Sequence, residues 1–405
     1  MKKPKGNPSC VCPRGAGHEQ APSKSPSEIV PNGTTEHVYT AIAETEREEI
    51  LDQLQQSQHE DIRMRLDELI EVYSAGKGGH GLDLEMADSE ALDSSIGALT
   101  DYYRQAMGKC VLLKDEQGIC WLVKSRNPDR DNPDWMSGWI QNVRRREHFA
   151  HLLLRNTSNQ AEIRKLTEED AQHSPDLAPF AGSIDEHYLS RLVMDGNMDC
   201  GWLPHDDIRQ ADSAMFVSDI LIRKYDAHMY NRARLNSASV SLDNDFALES
   251  DWQIDNPRDS LHFKRFEFFF LMTFATEPVV RAKTWKAREG SPTRQFESTY
   301  QHFLWKNMAL DPEKAVNEIS SLMRDYGLGD CIIAANMLDE RYMRESILEH
   351  KRIENIRQTA IEAGYTGRDL DEVVAMIEEN LETLGRDVNE VLKAITGRDY
   401  RFDRM

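Results

Sequence analysis

Two polar clusters in the middle of the chain carry residue types suited to catalysis. Asp226, His228 and Asn231 share the string DAHMYN, and Asp243 and Asp245 follow in SLDNDFAL. Both lie in the stretch KYDAHMYNRARLNSASVSLDNDFAL (Lys224–Leu248), which has little apolar periodicity. Upstream, Lys124 closes an apolar run and Glu147 lies in a segment with helical spacing. Transfer of a phosphoryl group from ATP to a hydroxyl needs this set of groups. A lysine pairs with the nucleotide phosphates and a carboxylate holds that lysine. A second carboxylate orients the acceptor hydroxyl or takes its proton, and an amide with a further carboxylate holds the metal ions. The chain supplies Lys124, Glu147, Asp226, Asn231 and Asp243 in that order.

Elements must position these groups. The runs Cys110–Leu113 and Ile119–Val123, joined by KDEQG, predict a β-hairpin that ends in Lys124. Met136–Asn156 reads as a helix carrying Glu147, with Phe149, Leu152 and Leu153 inward. From about Ser183 the pattern becomes helical. A helix over Asp206–Tyr225, with Ile208, Met215, Phe216, Ile220 and Leu221 on one stripe, would deliver Asp226. The short apolar approach ASVSL precedes Asp243. A buried helix around FEFFFLMTFA stops near Pro278, and helices fill the remainder. The last long one is amphipathic through Val373, Met376, Ile377, Leu381, Leu384, Val388, Leu392 and Ile395. Glu44–Tyr73 is also helical, with a break near Ser57. SAGKGGHG (Ser74–Gly81) follows as a connector. It is not a P-loop, because no Ser or Thr follows Lys77 and no strand precedes it.

Composition removes several function classes. A chain of 405 residues with a net charge of −21 is not built for broad nucleic-acid binding. The basic run NVRRREH (Asn142–His148) is expected to be a solvated helix face. No apolar run is long enough to span a bilayer, and the start lacks the apolar segment of a secretory leader. Cys10, Cys12, Cys110, Cys120, Cys200 and Cys331 have no zinc-finger spacing and suit a reducing compartment. A cytoplasmic protein is expected, or a bacterial effector delivered into another cell.

DAHMYN resembles the Asp-x-His-x-x-Asn loop of atypical members of the protein-kinase-like superfamily: HipA-type bacterial kinases, actin-fragmin kinase and the phosphoinositide kinases. SLDNDFAL is similar to the metal-binding strand and turn that follow it there. The resemblance spans roughly Gly97 to Val280 and implies an α+β, bilobal fold with a β-rich small lobe, a helical large lobe and extra C-terminal helices. The boundaries it suggests are a disordered tail at 1–43, a helical extension at 44–90, a small lobe at 91–175, a large lobe at 176–290 and a helical region at 291–405. It implies ATP with Mg2+ or Mn2+ as cofactors, Asp226 as the catalytic carboxylate, and Asn231 and Asp243 as metal ligands. Lys124 and Glu147 become the ATP-binding ion pair and His228 a loop-orienting residue. Asp245 is either a second metal carboxylate or a solvated turn residue.

The chain departs from the family in two places. No Gly follows Asp243-Asn244, and ALTDYYRQAM between Gly97 and Gly108 holds no Gly-rich loop. Both leave room for an inactive kinase-like protein. The expected acceptor is Ser or Thr of a protein, with a phosphoinositide as the alternative, for which Arg144–Arg146 is the one hint. A partner protein at the C-terminal helices is the non-catalytic alternative.

Each residue also has a structural alternative. Asp226 and Asn231 can serve a local turn, and DND can close a hairpin between VSL and FAL. Lys124 can be a surface residue, and Glu162 can replace Glu147 as its partner. Glu147, His148 and His151 spell E-H-x-x-H, which lacks the spacing of a zinc protease. Trp121, Trp135, Trp139 and Trp202 are expected to pack in the core.

Overall fold

Apolar residues at consecutive positions of β2 (Val111–Asp115) and β3 (Cys120–Lys124) point to opposite sides of a sheet, so both sides need cover. The computed structural model describes residues 38–72, several positions between 93 and 108, and residues 110–124, 134–194, 203, 207–228, 231–235, 238–244, 247–248, 260–275 and 311–404 apart from 326 and 336. In it, β1 (Tyr39–Ala41), β2, β3, β5 (Ile163–Lys165) and β6 (Tyr188–Arg191) form an antiparallel sheet in the order β1-β2-β3-β6-β5. Leu113, Trp121, Val123 and Leu189 pack on one face with Leu166 and Leu177. Leu112, Cys120, Leu192 and Met194 pack on the other with Ile50, Leu51 and Leu54 of α1 (Glu44–Val72).

One carboxylate organises the β2–β3 turn. Asp115 Oδ1 accepts from the Gln117 and Ile119 N–H groups, each at 2.9 Å, and Oδ2 accepts from the Trp121 indole at 2.9 Å. Gly118, at φ 81°, takes the left-handed position that such a turn requires.

The sheet corrects three expectations. Residues 39–41 belong to it rather than to a tail that reaches 43: Tyr39 is buried, and its N–H donates at 2.8 Å to Ser174 Oγ, just after α3 (Glu168–His173). Residues 188–191 are a strand, although the stretch from Ser183 reads as helical and a boundary at 175 would cut them from the sheet. Buried between β3 and β5, β6 shows no polar alternation to betray it. α1 runs unbroken through Ser57, which lies in a stretch free of Pro and Gly.

The helical part forms around α4 (Ile208–Leu221). Every residue of α4 from Ala211 to Leu221 is buried, so it is a central helix rather than a one-stripe surface helix. It starts on Asp207, whose carboxylate accepts from the Arg209 N–H. It ends four residues before Tyr225, at Leu221, and Arg223 then takes φ 51°. α2 (Asp134–Leu154) contributes Phe149 and Leu152–Leu154 to the same core. α5 (Ser260–Phe270), followed by a π-helical turn at Leu271–Ala275, adds Phe266, Phe268, Phe270 and Phe274.

The C-terminal helices share that core. They are α6 (Pro312–Asp325), α7 (Leu328–Ala335), α8 (Glu340–His350), α9 (Ile356–Glu362) and α10 (Gly367–Thr396). α8 and α10 pack directly on α4, so the region after 291 is built into the fold as far as it is described. A small sheet in the order β4-β8-β7 completes the framework, from β4 (Asn159–Gln160), β7 (Arg232–Leu235) and β8 (Ala238–Ser241). The protein is thus α+β. Among the described residues, no helix is long and apolar enough to cross a membrane.

Gly385 lets α10 touch the Phe402 main chain, where a Cβ would collide with the Phe402 carbonyl. Gly385→Ala is therefore expected to lower the unfolding free energy by about 1–3 kcal/mol. Urea denaturation against the exposed control Glu382→Ala checks this, and equal stability of the two variants would contradict it.

Candidate functional site

Lys124 stands where β3 ends, and its Nζ donates to Glu147 Oε1 of α2 and, at 2.9 Å, to Asp243 Oδ1. Glu147 is almost fully buried, and its Oε2 accepts from Arg144 Nη1 at 3.1 Å. Glu147 rather than Glu162 is thus the partner of Lys124. Glu162 is taken by Arg164 at 2.9 Å and Arg191 at 3.1 Å. The basic run is not a solvated face either. Arg144 turns to Glu147, Arg145 reaches Asp369 at 2.9 Å and lies over the Tyr365 ring, and Arg146 is buried.

Asp243 follows β8 in the left-handed conformation, φ 51°, which Asp tolerates better than most residues. It does not sit in a hairpin between VSL and FAL. β8 pairs with β7 and β4, and the Leu248 N–H donates to the Ile222 carbonyl at 2.8 Å. Burial pushes the Asp243 carboxyl up, but Lys124, then Arg144 and Lys224, outweigh it and hold the group at about 2. The carboxylate is therefore ionised at neutral pH, while 44% of its side-chain surface stays accessible.

The second cluster is a closed ring of hydrogen bonds. Asn231 Nδ2 donates to the Asp226 carbonyl at 2.9 Å and to Asp226 Oδ2 at 3.1 Å. His228 Nε2 lies 3.0 Å from Asp226 Oδ1. Asp226 and Asn231 thus form a local Asp–Asn turn, and His228 sits where it can orient Asp226.

The β7–β8 hairpin joins the clusters. It begins after Asn231 and ends before Asp243, with Arg232 opposite Ser241, and the Leu242 N–H donates to the Asn231 carbonyl at 2.8 Å. Two buried ion pairs hold it to α4: Asp219 with Arg232 at 2.7 Å and Asp212 with Arg234 at 2.6 Å. Seven residues on a helix and two on a strand each return to the same face, so the two spacings match. ASVSL reads as an approach to Asp243, whereas RARL does not read as its partner strand. The Asp212/Asp219 and Arg232/Arg234 spacings were the available signal.

Oxygens suited to a hard divalent cation remain. Asn231 commits its Nδ2 to Asp226, and among the described residues neither Asn231 Oδ1 nor Asp243 Oδ2 has a hydrogen-bond partner. Asp245 lies outside the described residues, as do the side chains of Trp135, Trp139 and Trp202, whereas Trp121 is buried. Among the described residues, no three His, Cys, Asp or Glu form a metal cluster. In E-H-x-x-H, Glu147 is engaged by Lys124, and burial pushes His148 and His151 down to about 3.

No protein-family model, no curated protein and no solved structure matches this chain.

A buried chain of polar contacts supports the Asp243 turn. Asn244 Nδ2 donates to Gln160 Oε1 at 2.8 Å, and Gln160 Nε2 donates to Ser158 Oγ at 2.8 Å. Ser158 meets Ser218 Oγ at 2.6 Å, which lies 2.7 Å from His350 Nε2. Burial lowers His350 from 6.5 to about 4. Its unfolded form takes up a proton first, so stability is full above pH 6.5 and falls as pH drops toward 4. The loss attributable to His350 approaches roughly 3 kcal/mol. Urea denaturation from pH 7 to pH 4 is expected to show this slope, reduced by about one proton in His350→Asn. An unchanged slope in the variant would contradict it.

Proposed function

We propose that this chain is an ATP- and divalent-metal-dependent phosphotransferase of atypical protein-kinase type, acting on hydroxyl groups, with Ser or Thr of a protein as acceptor. The observation that carries this is the contact of Lys124 with both Glu147 and Asp243. The three groups come from a strand, a helix and a turn, and their partners stand 23 and 119 positions from Lys124 in the chain. Protein kinases pair a lysine on the third strand with a glutamate on the following helix, and they hold metal through an aspartate and a loop asparagine. In this reading the five-stranded sheet with α2 is the small lobe and the helical core is the large lobe.

Charge arithmetic supports the same chemistry. Among the described residues, Lys124 and Arg144 already meet the carboxylates of Glu147 and Asp243, so their charge is in large part engaged before a triphosphate arrives. Asn231 and Asp243 would hold a divalent cation, which neutralises phosphate charge when bound. Glu147 fixes the Lys124 ammonium so that it reaches the phosphates without reordering. Asp226, steadied by Asn231 and His228, retains carboxylate lone pairs to orient an acceptor hydroxyl. A lipid headgroup would need a free basic face, and Arg144–Arg146 is spent on internal contacts.

Thermal unfolding with Mg-ATP, followed by transfer from labelled ATP, tests the proposal. Mg-ATP at about a hundred times its dissociation constant stabilises by roughly 2.7 kcal/mol. That shift should vanish with EDTA and in Asp243→Ala. Asp226→Asn should keep the shift and lose transfer by roughly 100-fold or more. No shift in the wild type, or an unchanged shift in Asp243→Ala, would overturn the reading. Labelling of phosphoinositide vesicles but not protein would change the acceptor class. Stabilisation without any transfer would leave a nucleotide-binding scaffold.

A further inference from the structure

Lys224 has no part in the chemistry proposed above, yet it is fully buried two residues before Asp226. Burying an ammonium group is costly unless all its N–H groups find acceptors. Here they do: Nζ donates to the Leu242 carbonyl at 2.6 Å, to Ser241 Oγ at 2.8 Å and, more weakly, to the Asn231 carbonyl at 3.4 Å. These acceptors lie on both strands at the open end of the β7–β8 hairpin: one is the carbonyl of Asn231 itself, and the other two belong to the residues just before Asp243. Burial disfavours the Lys224 ammonium, and the nearby Asp219 carboxylate, which also pairs with Arg232, favours it. Ser241 extends the contact, with its hydroxyl 3.3 Å from Asn244 Oδ1 next to Asp243.

We propose that Lys224 is a positioning residue that ties the Asn231 loop to the Asp243 turn, so that Asn231 and Asp243 act together on one metal–nucleotide complex. This inference rests on the phosphotransferase reading. Lys224 touches neither substrate nor metal in this role. It acts through two main-chain carbonyls and a hydroxyl. Partners of this kind, one shell behind the ligands, typically govern metal affinity by 10–100-fold.

The test compares the full-length wild type with Lys224→Met, which keeps the side-chain length and removes the donors. Three quantities are measured: the melting temperature without nucleotide, the Mg2+ concentration giving half of the ATP-dependent stabilisation, and kcat against KM for ATP. Lys224→Met is expected to raise the Mg2+ midpoint about tenfold or more and to lower kcat. Ser241→Ala, which removes a single acceptor, should move the Mg2+ midpoint in the same direction by a smaller factor. It decides the matter if Lys224→Met does not fold. Gly385→Ala serves as a destabilised control and should leave the Mg2+ midpoint where it is.

A folded Lys224→Met with the wild-type Mg2+ midpoint and kcat would overturn the inference and leave the phosphotransferase reading intact. A midpoint that moves no further than in Gly385→Ala would do the same. Absence of Mg-ATP binding and transfer in the wild type would remove both.

Discussion

An ammonium group at the inner end of a strand can be kept out of water only where carboxylates come to meet it. Lys124 sets that demand, and Glu147 and Asp243 answer it from two other elements. Much of the remaining structure follows. α2 must run past the end of β3 with Glu147 turned inward, and the chain after β8 must bend back at Asp243. The bend requires a left-handed residue, and the β7–β8 hairpin must be fixed firmly enough to hold it. That fixing falls to Asp212 and Asp219 on α4, which reach Arg234 and Arg232 in the interior. Charge pairs therefore set the relative placement of sheet, helix and turn, and apolar packing fills the space between them.

Some of this was legible in the sequence. The β2–β3 hairpin, α2 and α10 announce themselves through apolar spacing of period two or 3.6, because each presents at least one face to a neighbour in a regular way. The order Lys124, Glu147, Asp226, Asn231, Asp243 was legible from residue chemistry. The α+β class came with the resemblance of DAHMYN and SLDNDFAL to atypical kinases.

What escaped the sequence has a common physical cause. β6 is buried on both sides and so lacks the half-and-half pattern that periodicity detects, and α4, which reads as a one-stripe helix, is buried all round from Ala211 to Leu221. Arg144–Arg146 looked solvated because three charges in a row ordinarily are. The partner of Arg145 is Asp369, 224 positions away. β7 reads as polar loop because its two arginines are neutralised 13 and 22 residues upstream. Lys224 was passed over for the same reason: its acceptors are mainly carbonyls, which leave no trace in side-chain patterns.

The turn after α4 is completed by the far end of the chain. Arg223, at positive φ, gives its guanidinium to Asn380 and Asp387 of α10, and Asn380 returns its Nδ2 to the Leu221 carbonyl at 2.8 Å. The Arg223–Asp387 bond closes a loop of 164 positions. During translation, the segment that launches the Asp226 loop therefore emerges from the ribosome long before the groups that satisfy it. Until α10 has been made, Arg223 must stay hydrated and the stem of the loop unsettled. Over the 164 positions made in between, the stem of the Asp226 loop lacks these partners.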